Sequence, residues 1–456
     1  MNEQELRVLI DTVKEHCEEK KYQTVRKMLI EENPADIALV FLELEEKDLP
    51  LVFRMLPKEL ASEAFVYMDS DCQELLIKSF SDRELKEVIN EIYLDDTVDI
   101  IEEMPANVVA RILAASSAAN RKQINELLKY SEDTAGSIMT PEYVSLKKEF
   151  TVSEAFERIR KEGVNKETIY ICYVTVARRL VGTVSVKDLL LSPLDEKIED
   201  IMETNVISID VKEDKEEVSR LFSKYDLTAL PVVDSEQRIV GIVTVDDALD
   251  VMEEEATEDI EVMAAITPGD RPYIKTGVFS VFLQRFPWLL LLMVSATFTG
   301  AIITGFEAKL AAFPALIAYI PMLMGTGGNA GGQSSATVVR GLAVGEIETS
   351  DIFRLIWKEC RVSVLCGVAL AVANFIKIYL VDILILKSSI NVLSAAVVCI
   401  TLAITVVFAK IVGCVLPVFA KKIGFDPAVM ASPFITTFVD TVSLVVYMLV
   451  ATAVLY

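Results

Sequence analysis

Five apolar stretches near the carboxy-terminal end, at about 286–306, 310–339, 362–386, 388–420 and 429–456, constrain this chain more than any other feature. Each reaches the roughly 20 residues that a helix needs to cross a bilayer. Inside lipid every backbone N–H and C=O must be bonded within its own segment, so the stretches predict five transmembrane helices. The connection between the second and third holds Arg340, Arg354, Lys358 and Arg361, and that between the fourth and fifth holds Lys421 and Lys422, whereas the first and third hold only Lys309 and Lys387. This bias places the amino-terminal side in the cytoplasm, with the chain multi-pass in the plasma membrane. The charged stretch Met1 to Lys21 has no secretory-signal pattern, which agrees.

Two features do not belong in lipid. Asp440 is the only charged residue in the last stretch, where a carboxylate costs several kcal/mol unless it faces water, a partner or an ion. The run Gly325-Thr326-Gly327-Gly328-Asn329-Ala330-Gly331-Gly332-Gln333 breaks the second stretch, and irregular backbone at that depth survives only where protein or a water-filled cavity covers it. Thr436, Asp440 and Ser443 share one helical face, and Pro433 is expected to loosen the helix and free a carbonyl toward it. Together they suggest a polar pathway, and an aspartate suits a cation. Lys377 and Lys410 also fall in apolar stretches, and snorkelling to the interface accounts for both.

Charge divides the chain near Asp270. Of 44 Lys/Arg and 68 Asp/Glu, 13 and 8 lie from Arg271 onward, leaving a net charge of −29 before that point and +5 after it. An acidic first part argues against nucleic acid and favours cations. The seven cysteines form no C-x-x-C pair and read as reduced, buried thiols. His16 is the sole histidine, which leaves no zinc site and no Ser/His or Cys/His arrangement, so the chain is not expected to be an enzyme.

Residues 1–130 read as short amphipathic helices, with apolar runs such as Ile37 to Leu42 and Leu85 to Ile92 and prolines opening the next helix. They predict an all-α superhelical domain. An alternating strand and helix pattern then occurs twice, at 131–200 and 201–250, with helices expected at Val152–Glu162 and Lys215–Tyr225. Each unit ends on a similar motif, Gly182-Thr183-Val184-Ser185-Val186-Lys187-Asp188 and Gly241-Ile242-Val243-Thr244-Val245-Asp246-Asp247. The duplication resembles a pair of cystathionine-β-synthase (CBS) domains. The Ser/Thr-x-x-Asp pairs, Ser185 with Asp188 and Thr244 with Asp247, suit either a helix cap or the ribose of an adenine nucleotide. An acidic linker helix follows at 246–275, with Asp247, Asp250, Glu254 and Glu258 on one stripe, and residues 276–456 form the membrane domain. Hard oxygen ligands of this kind suit Mg2+ or Ca2+.

The order of helical domain, α/β CBS pair, acidic linker (plug) helix and five membrane helices resembles the MgtE family of bacterial magnesium channels over nearly the whole chain. The segments PMLMGTGGNAGGQSSATVVRGLAVGE (Pro321 to Glu346) and DPAVMASPFITTFVD (Asp426 to Asp440) carry most of the likeness. The resemblance implies a homodimer in the bilayer that passes Mg2+, with Asp440 facing the ion and Asn329 bonding to its waters. It also implies a cytoplasmic Mg2+ sensor that closes the pore, built from Asp95, Asp99, Asp214, Glu216, Asp226, Asp247, Asp250, Glu255, Glu258 and Asp259. ATP as a regulator would use Tyr170 and Asp188, but Leu227 stands where the family has an aromatic, so base stacking is not expected. Ser443 replaces a residue that is often glycine.

Overall fold

The structure is a computed structural model that describes residues 1–269, 273–307, 314–387, 390–430 and 432–455. Parts of three expected stretches (310–313, 388–389, 431 and 456), Lys309 of the first connection and linker residues 270–272 lie outside these. The chain forms two compact units, Met1–Met252 and Glu253–Tyr456.

The first unit opens with ten short helices, from Glu3–Glu18 to Ala118–Leu127. Polar caps start several of them: Asn33 accepts from Ala35 N ahead of Pro34–Leu42, and Ser81 and Glu84 form a reciprocal capping box ahead of Asp82–Ile89. Phe41, Phe53, Phe65 and Phe80 pack ring against ring, with centroids 5.3 to 6.4 Å apart, and join successive helix pairs into one stack. The stack shares its apolar core with the second α/β half, through Ile209, Val218, Phe222 and Val243.

Each α/β half carries a three-stranded sheet. In the first, β1 (Ser145–Lys147) runs parallel to β2 (Ile171–Val176), which pairs antiparallel with β3 (Arg179–Ser185). In the second, β4 (Ile209–Asp210), β5 (Ala229–Val233) and β6 (Ile239–Thr244) repeat that order. The helices lie at Val152–Glu162 and Lys215–Tyr225, as the sequence predicts, because Thr151 with Glu154 and Asp214 cap their starts. The leading strand of the second half, β4, is only two residues long. The halves also exchange their leading segments: Thr140 bridges to Ile242 of the second sheet, and Glu203 to Thr183 of the first. That exchange explains the two glycines of the repeated motif, since a methyl group on Gly241 would stand 2.9 Å from Thr140 O and one on Gly182 3.0 Å from Glu203 O. The linker helix spans Val245–Met263.

In the second unit, the described residues form five helices of 24 residues or more, Val278–Gly305, Ile320–Ala343, Ile352–Lys377, Val392–Lys422 and Ser432–Leu455, here numbered the first to fifth helices. Among the described residues, four helical stretches are long and apolar enough to span a bilayer, namely Val278–Gly305, Thr349–Ile385, Val392–Lys422 and Pro427–Leu455. The second helix, about 36 Å long at 1.5 Å per residue, is not among those four, as its glycines and polar side chains dilute its apolarity.

Two expectations fail here. The glycine run does not break its segment: residues 325–333 lie inside one continuous helix, whose carbonyls are spent on intrahelical bonds. The glycines serve close packing instead. A methyl group on Gly327 would stand 2.7 Å from Thr405 Cγ2, and one on Gly413 2.2 Å from Gly331 O, so the second and fourth helices meet at backbone distance, and side chains of the fifth pack onto the same glycines. Pro433 sits in the first turn of the fifth helix, where its missing N–H costs nothing, and its carbonyl accepts from Thr437 Oγ1 at 3.1 Å. It loosens no helix.

Candidate metal centre and ion pathway

In the first unit the helix Leu94–Glu103 carries Asp95 and Asp96 in its first turn, where unbonded N–H groups favour negative charge. Glu142 follows the exchanged segment and reaches this helix start, Leu94 N donating to its Oε2 at 3.4 Å. Glu167 precedes β2 and donates its N–H to Glu142 O at 3.0 Å. One carboxylate oxygen from each of Asp95, Glu142 and Glu167 lies within 4.8 Å of the others. Asp95 Oδ1 and Glu167 Oε2 are buried with no hydrogen-bond partner. No lysine or arginine forms an ion pair with any of the three among the described residues.

Burial, and then repulsion from neighbouring acids, push these groups far above ordinary carboxylates. Asp95 and Asp96 rise to about 7, and Glu167 to about 9. Asp247 rises to about 7 although its own Thr244 donates Oγ1 at 2.6 Å. Asp99 rises to about 8, through desolvation and then Asp95 and Asp247. Its side chain is open to solvent, which makes desolvation the weaker cause and repulsion the firmer one. Glu142 is raised by desolvation, against the pull of the Leu94 N–H and Lys166. Crowded, unpaired, hard oxygen donors fit a divalent cation, whose charge offsets what the protein leaves unmatched.

Asp95, Asp99 and Asp247 lie close enough to raise one another, and Asp96, Glu142 and Glu167, which the sequence reading did not single out, join them. Asp214 caps the helix Lys215–Tyr225 by accepting from Glu216 N at 2.9 Å, and Asp226 ends it in the left-handed region at φ 50°. Asp214, Glu216 and Asp226 are exposed. Asp250, Glu255, Glu258 and Asp259 follow along Val245–Met263, and none of these seven enters the three-carboxylate group. At the repeated motif both Ser/Thr-x-x-Asp pairs act as caps: Ser185 Oγ accepts from Asp188 N at 3.1 Å and donates to its Oδ2 at 2.6 Å. Tyr170 is exposed.

In the membrane unit, Gly325, Asn329, Gln333, Thr337 and Arg340 recur at four and three along the exposed face of the second helix. Exposed side chains on the first and third helices are mostly large and apolar, as lipid requires. A polar stripe among them needs water or a polar partner. Gly328, beside Asn329, crosses the fifth helix so closely that a methyl group on it would stand 2.7 Å from Thr436 Cγ2, one turn before Asp440. Asp440 is half-buried, its Oδ1 has no hydrogen-bond partner, and among the described residues no cation pairs with it. Ser443 Oγ and Thr405 Oγ1, which flank Gly327, are likewise buried and unbonded.

Lys410 does not snorkel, whereas Lys377 keeps an exposed side chain beside a carboxylate. Lys377 Nζ donates to Asp382 Oδ2 at 2.9 Å. Lys410 is buried, bonds Ser334 Oγ at 3.3 Å and lies 4.0 Å from Glu359 Oε2. A snorkelling lysine would expose its ammonium, which the buried Lys410 does not do.

Comparison with known proteins supports the same division. Residues 320–450 match the MgtE divalent cation transporter family, residues 32–133 the MgtE intracellular N domain, and residues 135–195 and 198–254 the CBS domain. The magnesium transporter MgtE of Thermus thermophilus is 35% identical over 445 residues, covering 96% of this chain and 97% of that protein. That of Bacillus subtilis is 33% identical over 434 residues, covering 95% and 94%. A crystal structure of the cytosolic domain of the Mg2+ channel MgtE in complex with ATP is 35% identical, with a TM-score of 0.51, and covers 53% of this chain and 99% of that one. A multi-pass membrane protein with a cytoplasmic amino-terminal part, which works as a transporter and not as an enzyme, accounts for both units, and the chain belongs to the MgtE family of divalent cation transporters.

Proposed function

We propose that this protein is a Mg2+-selective, Mg2+-gated channel for Mg2+ uptake across the plasma membrane, working as a homodimer. The observation that carries the reading is the unpaired Asp440 beside a polar stripe on an otherwise lipid-suited surface. Mg2+ releases its waters reluctantly and keeps an octahedral shell, so a pathway selects it by holding the hydrated ion. Asp440 supplies the charge, and Asn329 and Gln333 supply bonds to the ion's waters. A second copy offers a second Asp440, and it also accounts for a first membrane helix in which no residue is buried.

The cytoplasmic acids serve as the sensor. At low Mg2+ the carboxylates of Asp95, Asp96, Asp99, Glu142, Glu167 and Asp247 repel one another. When the ion is held by Asp95, Glu142 and Glu167, the repulsion falls and the closed arrangement gains stability. Linkage requires that the closed state bind the ion better. Asp214, Glu216, Asp226, Asp250, Glu255, Glu258 and Asp259 extend the acidic surface over which weaker ions act. ATP, which the related cytosolic domain binds, is a second regulator for which Tyr170 and Asp188 remain available, with Leu227 offering no ring to stack.

The test is Mg2+ flux into proteoliposomes with Mg2+ varied on the soluble-domain side. Flux down its own gradient, without a co-ion and falling as that Mg2+ rises, is the expected result. Flux that requires a proton or sodium gradient would replace the channel with an exchanger.

A further inference from the structure

The second membrane helix is tied at two levels by carboxylates of the third helix and its extension. Near its start, the Tyr319 hydroxyl donates to Asp382 Oδ2 at 2.6 Å, and Lys377 Nζ donates to the same oxygen at 2.9 Å. Fifteen residues further on, roughly 22 Å along the axis, Ser334 Oγ donates to Glu359 Oε2 at 2.9 Å and accepts from Lys410 of the fourth helix at 3.3 Å. Both sites repeat one chemistry, in which a hydroxyl from the second helix or its cap and a lysine meet a single carboxylate. Tyr319, Asp382, Ser334 and Lys410 are all buried.

The outer site depends on a local departure from α-helix. Residues Ile378–Ile385 wind as a π-helix, whose i to i+5 repeat brings Asp382 round onto the face of Lys377. In an unbroken α-helix residues five apart point about 140° away from each other. The backbone has been rewound where the clamp forms.

The Lys410–Glu359 pair is buried on both sides, and at the other level Asp382 is buried while Lys377 is half exposed; a buried ion pair is a poor source of stability, because well-packed apolar groups serve as well or better, and its best-attested use is to fix register. Here the register at stake is that of the helix bearing Asn329 and Gln333, which lie between the two levels or beside the lower one. Glycines at 327, 328 and 331 leave that helix few side chains with which to lock itself against its neighbours. We propose that Tyr319–Asp382–Lys377 and Ser334–Glu359–Lys410 are positioning clamps that fix the pathway-lining helix against the third and fourth helices, and thereby set ion discrimination. This rests on the reading of the second helix as pathway lining.

The experiment uses the full-length protein in lipid nanodiscs and proteoliposomes. Tyr319→Phe, Ser334→Ala and the double variant Lys410→Met with Glu359→Gln remove the clamps while keeping volume. Lys410→Met alone leaves a buried carboxylate unmatched and is expected to fail in assembly. Two readouts are taken, hydrogen exchange of the amides at 325–336 relative to those at 397–409, and the ratio of Mg2+ to Ca2+ flux. Exchange faster by about tenfold at 325–336 alone, with a flux ratio reduced by about tenfold, is expected. Unchanged exchange at 325–336, or equal acceleration in both segments, overturns the clamp whether or not the protein conducts. Local acceleration with an unchanged flux ratio overturns its role in discrimination. A wild type that passes no Mg2+ removes the pathway reading, and exchange then decides the clamp alone.

Discussion

The two units treat their buried carboxylates in opposite ways. In the membrane unit Glu359 and Asp382 each have a lysine and a hydroxyl, and Asp440 has neither. In the cytoplasmic unit Asp95, Glu142 and Glu167 crowd together with no ion pair among the described residues. Where a carboxylate has its counter-charge within the fold it acts as structure, and where it lacks one it awaits a charge from outside. We propose that the unpaired acid in the membrane unit, and the crowded acids in the cytoplasmic one, are where a cation binds.

The largest effect that would break this comparison is at Asp440. Asp440→Asn is expected to lower Mg2+ flux more than about 100-fold while the protein still assembles; flux near that of wild type would show that the unpaired acid is not the ion site. Next come the crowded acids. Asp95→Asn with Glu167→Gln should make the protein more stable than wild type in EDTA, because repulsion is removed, and should abolish the gain on adding Mg2+. Wild type should gain about 2.7 kcal/mol at a hundredfold excess over Kd, read by denaturant unfolding. An equal gain in the variant would place the ion elsewhere.

Acidity sharpens the same contrast. Ordinary Asp and Glu titrate near 3.8 and 4.5, and the cleft acids stand at about 7 to 9 in the fold. A raised carboxyl favours the protonated folded state, so in EDTA the cleft's contribution is fully present below about pH 4 and is lost as pH rises through 7 to 9. Mg2+ must displace these protons, so its binding at pH 7 should release them, and calorimetry in buffers of differing ionisation enthalpy measures how many. Binding without proton release would contradict the raised values. The smallest effect is at the cap. Ser185→Ala should cost about 1 kcal/mol of stability with no change in Mg2+ response.

Much of this was legible in the sequence where a local rule applies. Thr151 with Glu154, and Asp214, announce two helix starts, and the repeated Gly-x-Val motif announces the duplication. Asp440 stood out because lipid makes any charge conspicuous. Glu142 and Glu167 did not, since they lie in connecting segments without periodicity and meet Asp95 only through the exchange of leading segments between the halves. The glycine run misled because glycine marks both unwound backbone and close helix packing, and only the neighbouring helices decide between them. Asp382 and Lys377, five apart, look unrelated on an α-helix until the π-helix brings them together.

The central claim is tested most directly by Mg2+ flux in proteoliposomes as a function of Mg2+ on the soluble-domain side, for wild type, Asp440→Asn, and Asp95→Asn with Glu167→Gln. The account predicts flux that falls with that Mg2+ in wild type, none at any concentration in the first variant, and flux insensitive to it in the second. Wild-type Mg2+ dependence in the second variant, or undiminished flux in the first, would contradict it.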